Sequence, residues 1–126
     1  MPSLRMQTCS LVLAADDPAA LASFYGAVVG STPSPGSASS HWRLPLPTGQ
    51  SLEIYSPSRS RPLPRQRGRL ALCLHIEGAE AGLKAVVQQS LELGASLLEP
   101  PRQEPFGWEA WLVDPEGNSL LLLASA

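Results

Sequence analysis

The sequence predicts an α+β fold built from two successive strand–helix–three-strand (βαβββ) modules, 1–56 and 69–126, joined by a basic linker at 57–68. Three observations predict it. Two stretches carry apolar residues at helical spacing, each just after an apolar strand-like run. Shorter runs that alternate apolar and polar residues follow each helix, as half-buried strands do. The order strand, helix, three strands then runs twice, and an internal duplication of this kind sets the architecture.

In the first half, "QTCSLVLAA" at 7–15 reads as a strand with few polar residues. Asp17 can cap the helix that follows, and Pro18 takes the first helical position, where its missing N–H does no harm. Leu21, Phe24, Tyr25 and Val28 line one apolar face at i, i+3, i+4, i+7 spacing, and Gly30 can supply the left-handed C-terminal residue. The segment 31–40, "STPSPGSASS", reads as a Pro/Gly/Ser loop. "HWRLPLP" places Trp42, Leu44 and Leu46 on one strand face and His41 and Arg43 on the other, with Pro45 and Pro47 suggesting a sheet edge. "QSLEIYS" at 50–56 alternates as the next strand.

Five of the nine basic residues fall in "PSRSRPLPRQRGR". A Pro-rich, Arg-rich stretch is a linker first, solvated by its charges, and an anion-binding flap second. It lacks the aromatic interleaving of a nucleic-acid surface. "RLALCLHIE" opens the second half as a strand. The helix after it carries Leu83, Val86, Val87 and Leu91 on one face and is closed by Gly94. "SLLEPP" reads as a short strand. Then "EAWLVDPEGNSLLLL" reads as a hairpin around Asp114-Pro115-Glu116-Gly117, where each residue suits a type I turn with a bulge. That turn is structural, not catalytic.

At 126 residues the chain fits one domain with a core that needs neither disulfides nor metal. Its net charge of −2 is too small to suggest nucleic-acid binding. No apolar run approaches the ~20 residues of a bilayer span, and the N-terminus has no signal-peptide core. Cys9 and Cys73 both lie in apolar strand-like runs, which suits reduced, packed thiols in a cytoplasm. A catalytic cysteine would need an activating base beside it.

The stretches "DDPAALASFYGAVVG", "LEIY" and "DPEGN", in that order and spacing, resemble the vicinal oxygen chelate superfamily. That superfamily includes glyoxalase I, the bleomycin-resistance proteins, fosfomycin-resistance transferases and extradiol dioxygenases. The resemblance covers nearly the whole chain. It implies paired βαβββ modules whose curved mixed sheets enclose a cavity, commonly across a homodimer. It also implies four positions, one on each of four strands, where metal-dependent members hold a divalent ion. Counting from Asp17, "LEIY", the strand opening the second half and Asp114 puts those positions at Ser10, Glu53, Arg69 and Leu121. Serine is a poor ligand, leucine offers no lone pair, and guanidinium is cationic. No metal and no other cofactor is therefore expected. His41 and His75 lie off these positions and read as surface or strand-end residues.

Either Glu53 pairs with Arg69 where relatives keep the metal, or Arg69 swings out with the linker and Glu53 is solvated. Strand parity adds Tyr55 to the face of Glu53, Val12 to that of Ser10, and Ala71 and Cys73 to that of Arg69. Glu109 and Trp111 match the family's inward positions on the penultimate strand. The expected ligand-binding set is Ser10, Glu53, Tyr55, Arg69, Glu109, Trp111 and Leu121, an aromatic and apolar lining with two acids and one base. Trp111 either stacks a ligand or fills core. The leading expectation is a metal-independent protein that binds a small organic molecule, without catalytic residues. The alternatives are a metal-dependent lyase, isomerase or dioxygenase, a metal-free enzyme using Glu53 or Glu109 as base, and a protein-interaction module.

Overall fold

The computed structural model describes residues 10–36, 40–57 and 71–125. Cys9, Arg69 and nearly all of the basic linker lie outside them. Contacts divide the chain into two units, Met1–Leu63 and Pro64–Ala126. The first holds β1 (Ser10–Ala14), α1 (Pro18–Val29), β2 (Ser34–Pro35), β3 (His41–Pro45) and β4 (Ser51–Tyr55). The second holds β5 (Leu72–Ile76), α2 (Ala79–Glu92), β6 (Ser96–Glu104), β7 (Gly107–Val113) and β8 (Ser119–Ser125). No helix among the described residues is long and apolar enough to cross a membrane.

Both units have the same topology. The sheets run β1-β4-β3-β2 and β5-β8-β7-β6. In each, the first strand pairs in parallel with the last, and the other pairs are antiparallel. The sheets are mixed, as the resemblance implies, and neither closes on itself. Two strands differ from expectation. The loop segment 31–40 contains the two-residue β2, the third strand of the first half. The short strand expected at "SLLEPP" extends over nine residues. Pro100 and Pro101 do not end it because β6 is an edge strand and its register shifts beside them, where a missing N–H is tolerated.

The helices form where the sequence places them. The Asp17 side chain accepts a hydrogen bond from the Ala20 N–H at 3.1 Å, and Gly30 closes α1 in the left-handed region at φ 72°. Leu21, Phe24 and Tyr25 are buried on α1, together with Leu44, Leu52 and Ile54 of the sheet it packs on. Phe24 and Tyr25 meet edge to face at 5.0 Å. In the second unit, Leu83 and Val87 of α2 are buried, as are Leu112, Leu120 and Leu122. Each such leucine contributes about 1.5–3 kcal/mol through burial. Ser90 also falls on the buried face of α2, with its hydroxyl donating to the Val86 carbonyl at 2.7 Å.

The Asp114 turn is held from within. Gly117 takes φ 91° and its N–H donates to the Asp114 carbonyl, while the Asn118 carbonyl accepts from the Asp114 N–H. The buried Asp114 carboxylate accepts from the Glu116 and Asn118 backbone N–H groups and from the Asn118 amide. Its acceptors are taken up by the turn, so the structural reading holds. Asp114→Ala removes these bonds and leaves part-buried donors unmet. It should lower unfolding stability by about 2 kcal/mol or more in urea titrations; a change under about 0.5 kcal/mol would contradict this account.

Candidate functional site

In the first unit, α1 covers one sheet face and leaves the other to a mixed set of residues. Strand alternation puts Leu44, Leu52 and Ile54 under the helix and His41, Arg43, Ser51, Glu53 and Tyr55 on the open face, where Tyr55 is nonetheless buried. The register aligns Ser10 with Ser51, Val12 with Glu53, and Ala14 with Tyr55. Ser10, Glu53 and Tyr55 thus share one face, as strand parity requires.

Glu53 sits at the centre of that face. His41 Nε2 stands 2.9 Å from Oε1, and an ionised carboxylate only accepts, so Nε2 carries the hydrogen. Arg43 Nε donates to both carboxylate oxygens at 3.1 Å, and the Ser51 hydroxyl donates to Oε2 at 2.8 Å. Glu53 and His41 are 14% and 13% exposed, Arg43 53%. Burial pushes the Glu53 carboxyl up. The hydrogen bonds from Arg43, Ser51 and His41, with the Arg43 charge, outweigh it and hold the group below its ordinary value. Glu53 is therefore a poor proton acceptor.

The expected partner Arg69 lies outside the described residues, and within them Arg43 supplies the guanidinium. His41 is not a mere surface residue, since it belongs to this cluster. The sequence carried a signal for both. The β3–β4 hairpin turns through Leu46–Gln50. Pairing residues equidistant from Thr48 sets Arg43 opposite Glu53 and His41 opposite Tyr55.

The second unit keeps its open face more apolar. Cys73 and His75 of β5 align with Leu121 and Leu123 of β8, which align in turn with Trp111 and Glu109 of β7. Glu109, Trp111 and Leu121 accordingly share a face. The two register shifts in β6 set Glu99 opposite Trp111 and Arg102 opposite Glu109. Arg102 contacts Glu104 and Glu109 at 2.6 Å and Glu99 at 3.5 Å. Glu109, like Glu53, is thus bound to an arginine. Simple alternation misses Arg102 because the bulges break the period of two.

Cys73 is exposed on this face and not packed, with its Sγ 3.9 Å from His75 Nε2. A base does stand beside it, yet burial of the sulfur pushes the thiol up, opposite to the activation a nucleophile needs.

The metal positions implied by the resemblance do not fit a metal. Leu121 has no donor atom, and both Glu53 oxygens are filled by hydrogen bonds beside a guanidinium that repels a cation. Among the described residues no group of three His, Cys, Asp or Glu side chains could hold an ion.

The profile of the family described as "Glyoxalase-like domain" matches residues 10–123. No curated protein matches the sequence. Among solved structures, a glyoxalase-related enzyme from Fulvimarina pelagi shares 20% identity at a TM-score of 0.80, over 96% of this chain and 89% of that one. A glyoxalase/bleomycin resistance protein/dioxygenase family enzyme from Burkholderia phytofirmans shares 14% at 0.77, over 93% and 97%. Lactoylglutathione lyase from Agrobacterium tumefaciens shares 23% at 0.66, over 98% and 94%. At these identities the likeness is one of fold.

Because the Glu53 carboxyl lies below its ordinary value of 4.5, its bonds favour the charged form. The stability they give is complete above the ordinary value and is lost as pH falls through the depressed one. Glu53→Gln should therefore be less stable than the wild type by a constant margin from pH 7 to pH 5. That margin should shrink towards pH 3, as read from denaturation midpoints. A margin unchanged down to pH 3 would contradict the assigned charge state.

Proposed function

This chain belongs to the glyoxalase-like domain family, and on that footing we propose that it binds a small organic molecule without using a metal. The observation that carries the reading is the donor set at the metal positions. Leucine replaces one ligand, and the one carboxylate is closed by donors from its own sheet. What the open faces offer is recognition. Trp111, Leu121 and Leu123 give the second sheet an aromatic and apolar surface, and Glu109 sits at its margin.

Proton-transfer catalysis is less well supported. A general base works best with its pKa near the operating pH. Glu53 is pulled the other way, and Glu109 is hydrogen-bonded to Arg102. The protein is proposed to act as a cytoplasmic homodimer, with neither nucleic acid nor membrane as partner. The thiol of Cys73, free in the structure, suits a reducing compartment.

A thermal-shift screen of small organic compounds, run with and without EDTA, tests the proposal. Ligands should stabilise the protein equally in both conditions. Trp111→Ala should weaken an apolar ligand about tenfold, roughly 1.4 kcal/mol, without lowering the melting temperature of the free protein to match. Stabilisation that EDTA abolishes would defeat the proposal.

A further inference from the structure

On the open face of the first sheet, the carboxylate is saturated and the guanidinium is not. The groups bonded to Glu53 are all donors. Oε1 accepts from His41 and Arg43, and Oε2 from Arg43 and Ser51. Arg43 uses only Nε for this. Among the described residues its two Nη nitrogens donate to nothing, and the side chain is 53% exposed. So the exposed side of the cluster is the guanidinium with its unused donors, although the acid at its centre balances its charge.

The apolar floor lies beside it. Val12 aligns with Glu53 on the neighbouring strand, on the same face, and is 56% exposed; Ala14 follows two residues on. Arg43 and Val12 stand on either side of β4, two strand spacings apart, or about 9.5 Å. A molecule with a charged group at one end and an apolar body within that reach could meet both.

We propose that this face of the first sheet takes a small organic acid, its carboxylate held by the two free Nη nitrogens of Arg43 and its apolar body on Val12 and Ala14. The proposal rests on the small-molecule-binding reading for the class of ligand and goes beyond it in using a face other than that of Trp111. A guanidinium offers two parallel N–H donors to a planar carboxylate, and this bidentate match is stronger and more selective than a point charge. Glu53 is then a positioning residue. Holding Nε by two hydrogen bonds restricts the guanidinium and leaves both Nη nitrogens to a ligand. A ligand amine would meet the same edge as a repelled cation, and a neutral amide would lose the charge-assisted bond.

The test is an NMR titration of the isotope-labelled full chain with three matched probes: 3-phenylpropanoate, 3-phenylpropanamide and 3-phenylpropylamine. The acid should saturably shift the Arg43 Nε–H and Val12 methyl signals. The amide and amine should bind at least tenfold more weakly, and so should inorganic phosphate, which has no apolar body. Arg43→Lys keeps the charge but loses the fork, and should weaken the acid at least tenfold. If that variant loses its folded spectrum, the neutral pair Arg43→Gln with Glu53→Gln takes its place, with the same loss expected. Equal binding of acid and amide or amine, equal binding of phosphate, or undiminished acid binding by the variants overturns the proposal. Amide or amine binding without preference for the acid would do so while leaving small-molecule binding intact. Binding of no probe overturns the proposal as well, and with no hit in the thermal-shift screen it would end both readings.

Discussion

The chemistry of the first sheet depends on how Glu53 is held. Its carboxylate receives four donor contacts from three side chains, all on β3 and β4. A half-buried carboxylate without such donors would be driven towards its neutral form, and a proton-shuttling or metal-binding role would be open to it. With them, it stays ionised and occupied. The same contacts orient the Arg43 side chain and tie His41 to the sheet, so one saturated acid determines the character of a whole face.

The second sheet solves the same problem with different parts. Its acid on β7, Glu109, is matched by Arg102 from the neighbouring edge strand, brought into line by two register shifts. In both units, then, an acid on an open sheet face is answered by an arginine one strand over, and the strand order is the same. The pairs do not sit on equivalent strands, since β4 corresponds to β8 and β3 to β7 in the shared order, so this arrangement of charges is not part of the duplication. What differs is the lining: Glu53 has Val12 on one side and polar partners on the other, while Trp111 and Leu121 form a more apolar stretch.

Much of the fold was legible because it is written in local chemistry. Asp17 with Pro18, the 3.6-residue spacing of Leu21, Phe24 and Tyr25, and the Asp114 turn each act within a few residues, and the structure realises all three. Alternation set Tyr55 on the face of Glu53 in β4, while the inward positions on β7 and β8 came from the family resemblance. The pairings followed from neither. Placing Arg43 on Glu53 requires the hairpin register across Thr48, a relation between strands and not within one. Placing Arg102 on Glu109 requires bulges that nothing in "SLLEPP" announces beyond its prolines. His41 looked like a strand-end residue because its partner lies on the adjacent strand. Arg69 falls outside the described residues.

On the proposed reading this glyoxalase-like domain works without a metal, because its one family-position carboxylate is already satisfied and Leu121 offers no lone pair. The direct measurement is metal content by mass spectrometry after incubation with nickel, cobalt, zinc, manganese and iron(II) and removal of the excess, alongside melting temperature. A metal-free domain should retain none of the five stoichiometrically and gain no stability from them. About one tightly held ion per chain with a raised melting temperature would contradict the metal-free reading.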